Sequence, residues 1–113
     1  MVLSRIIAMA ALLALGGQVL ACDYPGSDDI VVPDGATASE QQMLKAQQTV
    51  TAYIKAMEDF LECLGREFDA LEEPTPEAAQ LRDLRHNAAV GAMEDIAERF
   101  NIQVRKYNAR PEE

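Results

Sequence analysis

The sequence predicts an all-α protein: an antiparallel two-helix hairpin with an extended N-terminal arm, two copies of which can pair into a four-helix bundle. Three observations carry this. From Thr37 to Leu64 the chain has neither Pro nor Gly and is rich in Ala, Gln, Glu, Met and Leu. Apolar residues recur at spacings of three and four along two long stretches, the period of an amphipathic helix. A single short break, Glu73-Pro74-Thr75-Pro76-Glu77, separates the two stretches.

Residues 1–21 read as a secretory signal peptide: Arg5 near the start, an apolar run from Ile6 to Leu15, then Gly16-Gly17 and the small-residue ending at Ala21. The apolar run is shorter than the roughly 20 residues a membrane-spanning helix needs. Cleavage after Ala21 leaves Cys22 as the mature N-terminus and places the protein in the periplasm or outside the cell. Two fates then compete for Cys22. It is either the acylated residue of an envelope lipoprotein, although Leu20 is bulky for that signal, or half of a disulfide with Cys63, the other cysteine of the chain. Membrane association is expected only for the acylated form.

Residues 22–38 form the arm. Pro25, Gly26, Pro33 and Gly35 forbid a helix and predict turns at Pro25-Gly26 and at Pro33-Asp34-Gly35. The triplet Ile30-Val31-Val32 needs an apolar surface to lie on. Asp23, Asp28, Asp29 and Asp34 lack calcium-loop spacing and read as a solvated acidic tether.

The first helix is predicted over 39–73. Either Thr37 with Glu40 or Ser39 with Gln42 supplies a capping box. Its stripe reads Met43, Val50, Ile54, Met57, Leu61, Leu64, Phe68 and Leu71, a heptad seam. The second helix is predicted over 75–108, with Thr75 as N-cap, Pro76 at the first helical position, and Arg105, Lys106 and Arg110 at its negative end. So short a break makes the helices antiparallel neighbours in a helical hairpin domain spanning 39–110. Folding about Pro74 and Thr75 sets Phe68 by Leu81, Leu64 by Leu84, Leu61 by Ala88, Met57 by Ala92, Ile54 by Ile96 and Val50 by Phe100. Gly91 costs about 1 kcal/mol in mid-helix, which predicts that something approaches it closely.

Cys63 falls off the seam, on a back face with Thr49, Ala52, Ala56 and Ala70 that Tyr53 and Phe60 border. This face is a bed for the arm, and the arm is long enough to reach it. The helix rises about 36 Å from Ser39 to Cys63, and residues 22–38 extend to roughly 50 Å.

Composition excludes whole classes of function. The chain has 113 residues, 10 Lys+Arg against 19 Asp+Glu, and a formal charge of −9. That is too short for a multidomain enzyme and without the basic cluster of a nucleic-acid binder. His86 is the sole histidine. It follows Asp83 at i+3 and sits nearly opposite Glu62, so a hairpin dimer could gather two copies of Glu62, Asp83 and His86 as a metal site. The plainer reading is an exposed Glu62 and a boundary His86, with no metal or other cofactor. Met43, Met57 and Met93 read as gap-filling core. No phosphate loop, nucleophile elbow or paired carboxylates in a cleft are present.

The chain resembles a group of uncharacterised exported proteins of proteobacteria. The likeness lies in Cys22-Asp23-Tyr24-Pro25, Pro33-Asp34-Gly35-Ala36-Thr37-Ala38-Ser39, Tyr53 and Met57 leading to Leu61-Glu62-Cys63, and Asn87-Ala88-Ala89-Val90. Met93-Glu94 and Phe100-Asn101 with Val104, Tyr107 and Arg110 continue it. This chain has His86 where tyrosine is usual in the group. The expectation is a non-catalytic exported binding or structural module whose partner is another protein or a second copy of itself.

Overall fold

The structure, a computed structural model, describes residues 22–111. The leader predicted for 1–21 lies outside the described residues. Two helices pack against each other, α1 over Glu40–Asp69 and α2 over Pro76–Asn108, preceded by a non-helical arm; no strand occurs among the described residues. The helical hairpin is therefore the fold.

The helix starts follow from capping chemistry. Ser39 and Gln42 form the reciprocal box: Gln42 N–H donates to Ser39 Oγ at 3.1 Å, and Ser39 N–H donates to Gln42 Oε1 at 2.8 Å. Thr75 Oγ1 accepts from Ala78 N–H at 3.1 Å, with Pro76 at the first helical position. The first helix stops at Asp69, four residues short of the predicted end. Glu73 precedes Pro74 and is steered away from helical backbone, while Asp69, Glu72 and Glu73 would crowd the negative end of the dipole. Ala70 N–H donates to the Arg66 carbonyl at 3.0 Å and Leu71 N–H to the Phe68 carbonyl at 3.1 Å, closing the end.

In α1 the spine Met43, Val50, Met57 and Leu64 is buried as predicted, with Met57 0% exposed. The second column differs. Ala46, Tyr53 and Phe60 are buried, whereas Ile54, Leu61 and Phe68 are only half-buried. The reason is a third layer: the arm folds back along α1 and covers the Tyr53–Phe60 side.

In α2 the buried residues are Ala89 and Ile96. Leu81 and Leu84, predicted to face Phe68 and Leu64, are 56% and 61% exposed, and Ala88 is exposed too. Arg82 and Arg85 take the inward positions. The Arg82 guanidinium lies 4.0 Å from the Phe68 ring centroid, and that of Arg85 lies 5.7 Å from the Phe60 centroid and pairs with Glu67 at 3.2 Å. Leu81 lies at the edge of a shallow pocket with Leu64, Phe68 and Leu71, while Arg82 covers the Phe68 ring. The flat aromatic faces below suit a planar guanidinium better than a branched leucine.

Candidate interaction face

The arm is fixed at both ends. At its start Cys22 is joined to Cys63, with a Cα–Cα distance of 5.7 Å. Glu67 Oε2 lies 3.2 Å from Cys22 Sγ. A disulfide sulfur has no proton to give, so this is a close carboxylate contact rather than a hydrogen bond, held in place by Arg85. Tyr24 stacks edge-on against Phe60 with ring centroids 5.2 Å apart. Ile30 and Val32 pack on the core, while Val31 between them is 74% exposed, the alternation of an extended segment on a surface.

At its other end the arm crosses to α2. Gly35 N–H donates to Gln103 Oε1 at 2.9 Å, and Arg110 Nη1 donates to the Gly35 and Ala38 carbonyl oxygens. A Cβ on Gly35 would lie 2.8 Å from the Gln103 carbonyl carbon and 2.9 Å from the Tyr107 nitrogen. The close-approach glycine is therefore Gly35. Gly91, predicted to fill that role, is exposed, and a Cβ there would meet nothing within 4 Å in this chain.

Local backbone chemistry explains the path of the arm. Asp34 organises the predicted turn, its carbonyl accepting from Thr37 and Ala38 N–H at 3.1 and 2.8 Å and its side chain from Ala36 N–H at 3.0 Å. The other turn lies beyond Pro25-Gly26, where Ile30 N–H donates to the Ser27 carbonyl at 3.1 Å. Asp28 and Asp29 occupy it, and both tolerate turn conformations better than the residues around them. The bed is also narrower than predicted: Thr49 and Ala56 are half-buried, but Ala52 and Ala70 are exposed because the arm lies toward Tyr53 and Phe60.

Opposite the arm the hairpin is open. Going round α1 from the Met57 spine, Phe60 lies about 60° one way and Leu61 about 40° the other. The arm covers the first side, and none of the described residues covers the second. Ile54, Leu61 and Phe68 of α1 and Met93, Phe100 and Val104 of α2 therefore stay half-buried along one continuous face. Near the chain-end side of the hairpin this face deepens into a groove of about 300 Å³ between Met43, Leu44, Gln47, Phe100, Val104 and Tyr107.

The polar candidates are scattered. Glu62, Asp83 and His86 are all exposed; Glu62 reaches Arg66 at 4.0 Å and Asp83 pairs with its neighbour Arg82 at 3.0 Å. Glu62 and Asp83 each face a neighbouring arginine of their own helix, and His86 is exposed to solvent. Among the described residues no three His, Cys, Asp or Glu side chains are placed to hold a metal ion. Asp23, Asp28, Asp29 and Asp34 are exposed, as a solvated tether requires, and Met43 and Met57 are core. Tyr53, 7% exposed, has its phenol pushed above the ordinary 10.0 by burial, with Tyr24 and Asp95 adding to the shift. No buried polar side-chain atom among the described residues lacks a partner.

What this arrangement offers is one face closed by a stapled arm and one apolar face left open. The Gly35, Gln103 and Arg110 clamp and the inward arginines escaped sequence reading. The Pro-Asp-Gly turn was the available signal for the clamp, since it places a small residue at a fixed point beside the end of the hairpin. No protein-family model, curated protein or solved structure matches the chain.

Proposed function

We propose that the chain is an exported, non-catalytic helical module that binds protein through the open face of its hairpin. The observation that carries this reading is the asymmetry of the two faces. The arm closes the Tyr53–Phe60 side, while Ile54, Leu61, Phe68, Met93, Phe100 and Val104 run half-buried down the other. Continuous apolar strips of this size on a soluble chain are characteristic of interaction sites. Export is supported by the leader-like composition of residues 1–21 and by the pairing of Cys22 with Cys63, which suits an oxidising compartment. Acylation of Cys22 would compete with that pairing for the same sulfur.

A photo-reactive amino acid placed in the exporting cell tests the reading. At Val90, on the rim of the open face, it should give a discrete protein adduct. At Ala52, exposed on the other side of α1, it should give none. Adducts at Ala52 alone, or at neither position, would refute it.

A further inference from the structure

We infer that the occupant of the open face is a second copy of the same chain, with each α1 lying over the partner's α2 to complete an antiparallel four-helix bundle. This rests on the reading of that face as a binding surface and adds the identity and orientation of what binds.

The first argument is area. The face runs from Met43 to Phe68 on α1, about 38 Å. Two adjacent helices give it a width of roughly 20 Å. A flat contact of roughly 750 Å² per copy follows, close to the ~800 Å² per partner of a standard stable interface. The shape also fits, since a hairpin closed on one side by its arm has only one face left on which to build a second helical layer.

The second argument is charge. On α1 the open face is bordered by Glu40, Glu58, Glu62 and Asp69, all exposed, of which Glu62 alone reaches an arginine, Arg66 at 4.0 Å. On α2 the border is Ala79, His86, Val90, Ala97 and Asn101, with a single acid, Asp83, already paired to Arg82. A two-fold axis perpendicular to the helices would lay α1 on α1 and bring two acidic borders together. An axis parallel to the helices lays α1 on α2 and sets acid against a nearly neutral border; neighbouring helices are antiparallel in both arrangements, so the charge pattern decides. In that arrangement residues meet at the heights they share within the chain, where Arg82 stands over Phe68. Glu62 is then level with His86 of the second copy.

The exposed Leu81 and Leu84 mark the competing surface on α2, and the test separates the two. Sedimentation of the purified, oxidised mature protein from about 1 to about 100 µM should show a dimer. Val90→Glu places a carboxylate on each side of the symmetric contact. It should weaken the dimer by at least ~100-fold while helicity and the disulfide remain. Leu84→Glu should leave the dimer intact. With a nitroxide at Glu73→Cys, the two labels should lie about 20–30 Å apart because both loops share one end; the α1-on-α1 arrangement separates them by about 50 Å.

A parent protein that is monomeric throughout overturns the inference. Adduct formation at Val90 with a different protein would then keep the binding reading alive without it. Dissociation by Leu84→Glu but not by Val90→Glu, or labels about 50 Å apart, also overturns it.

Discussion

Replacing Gly35 with alanine tests the clamp that holds the arm across the end of the hairpin. No described glycine has a positive φ, so alanine's backbone preferences fit and the penalty is steric. The added Cβ would lie 2.8 Å from the Gln103 carbonyl carbon and 2.9 Å from the Tyr107 nitrogen. The Gln103 carbonyl oxygen is closer still. Ordinary contacts need about 3.5–4.0 Å, and all three obstacles are helical backbone, so the arm must lift by well over about 1 Å. Lifting strains the 2.9 Å bond from Gly35 N–H to Gln103 and both bonds from Arg110. Overpacking of this kind costs about 1–3 kcal/mol and a weakened hydrogen bond about 1 kcal/mol; the lower entropy of the unfolded alanine chain returns about 0.4–1 kcal/mol. The net expectation is a loss of about 2 kcal/mol. The Cys22–Cys63 link limits it by keeping the far end of the arm in place. Urea unfolding of the oxidised protein, followed by its helical circular dichroism, reads this directly, with Gly91→Ala as the internal reference. At Gly91 an added methyl meets nothing within 4 Å and improves helix propensity, so stability should rise by up to about 1 kcal/mol. Equal or greater stability for Gly35→Ala would refute the clamp.

Other consequences are equally specific. Ser39→Ala removes the acceptor of the Gln42 N–H and should cost about 1 kcal/mol in the same unfolding assay, without changing the m-value. Met57→Ala empties the one large side chain that is fully buried and should cost about 2–5 kcal/mol; a loss under about 1 kcal/mol would mean the spine is not the core. The raised pKa of Tyr53 gives a signed pH effect. Its contribution to stability is complete below the unfolded value near 10.0 and is lost as pH rises through the folded one, because the unfolded chain ionises first. Urea midpoints measured between about pH 9 and pH 11 should therefore fall less in Tyr53→Phe than in the parent.

Features set by local chemistry were legible in the sequence: both helices, the Thr75-Pro76 start, the turn at Asp34 and the Met43–Val50–Met57–Leu64 spine. Ser39 with Gln42 was one of two possible boxes, and the structure selects it. Features set by tertiary competition were not. A heptad stripe cannot say which of Leu61 or Phe60 is better buried, because that depends on whether a third element covers one side. Hydropathy put Leu81 and Leu84 inside. The rings of Phe60 and Phe68 and the carboxylate of Glu67 instead favour Arg82 and Arg85, whose aliphatic stems and planar heads lie over the aromatic faces. Gly91 stood out because glycine is costly in a helix, while Gly35 passed as turn chemistry although it is the residue whose missing side chain lets two backbones meet. The polar trio Glu62, Asp83 and His86 shared a region in the sequence register, but sharing a region is not convergence: Glu62 and Asp83 each turn to an arginine on their own helix, and no three ligands among the described residues are placed to hold a metal ion.

The asymmetry of the two faces depends on the arm being fixed, and that depends on one bond. Peptide mapping of the unreduced, exported protein tests it most directly. The account predicts a peptide beginning at Cys22 linked to the peptide containing Cys63, with no free thiol. Two free thiols, or an acyl group on Cys22, would contradict it, for then no covalent bond ties the start of the arm to α1 and only its packing holds that face closed.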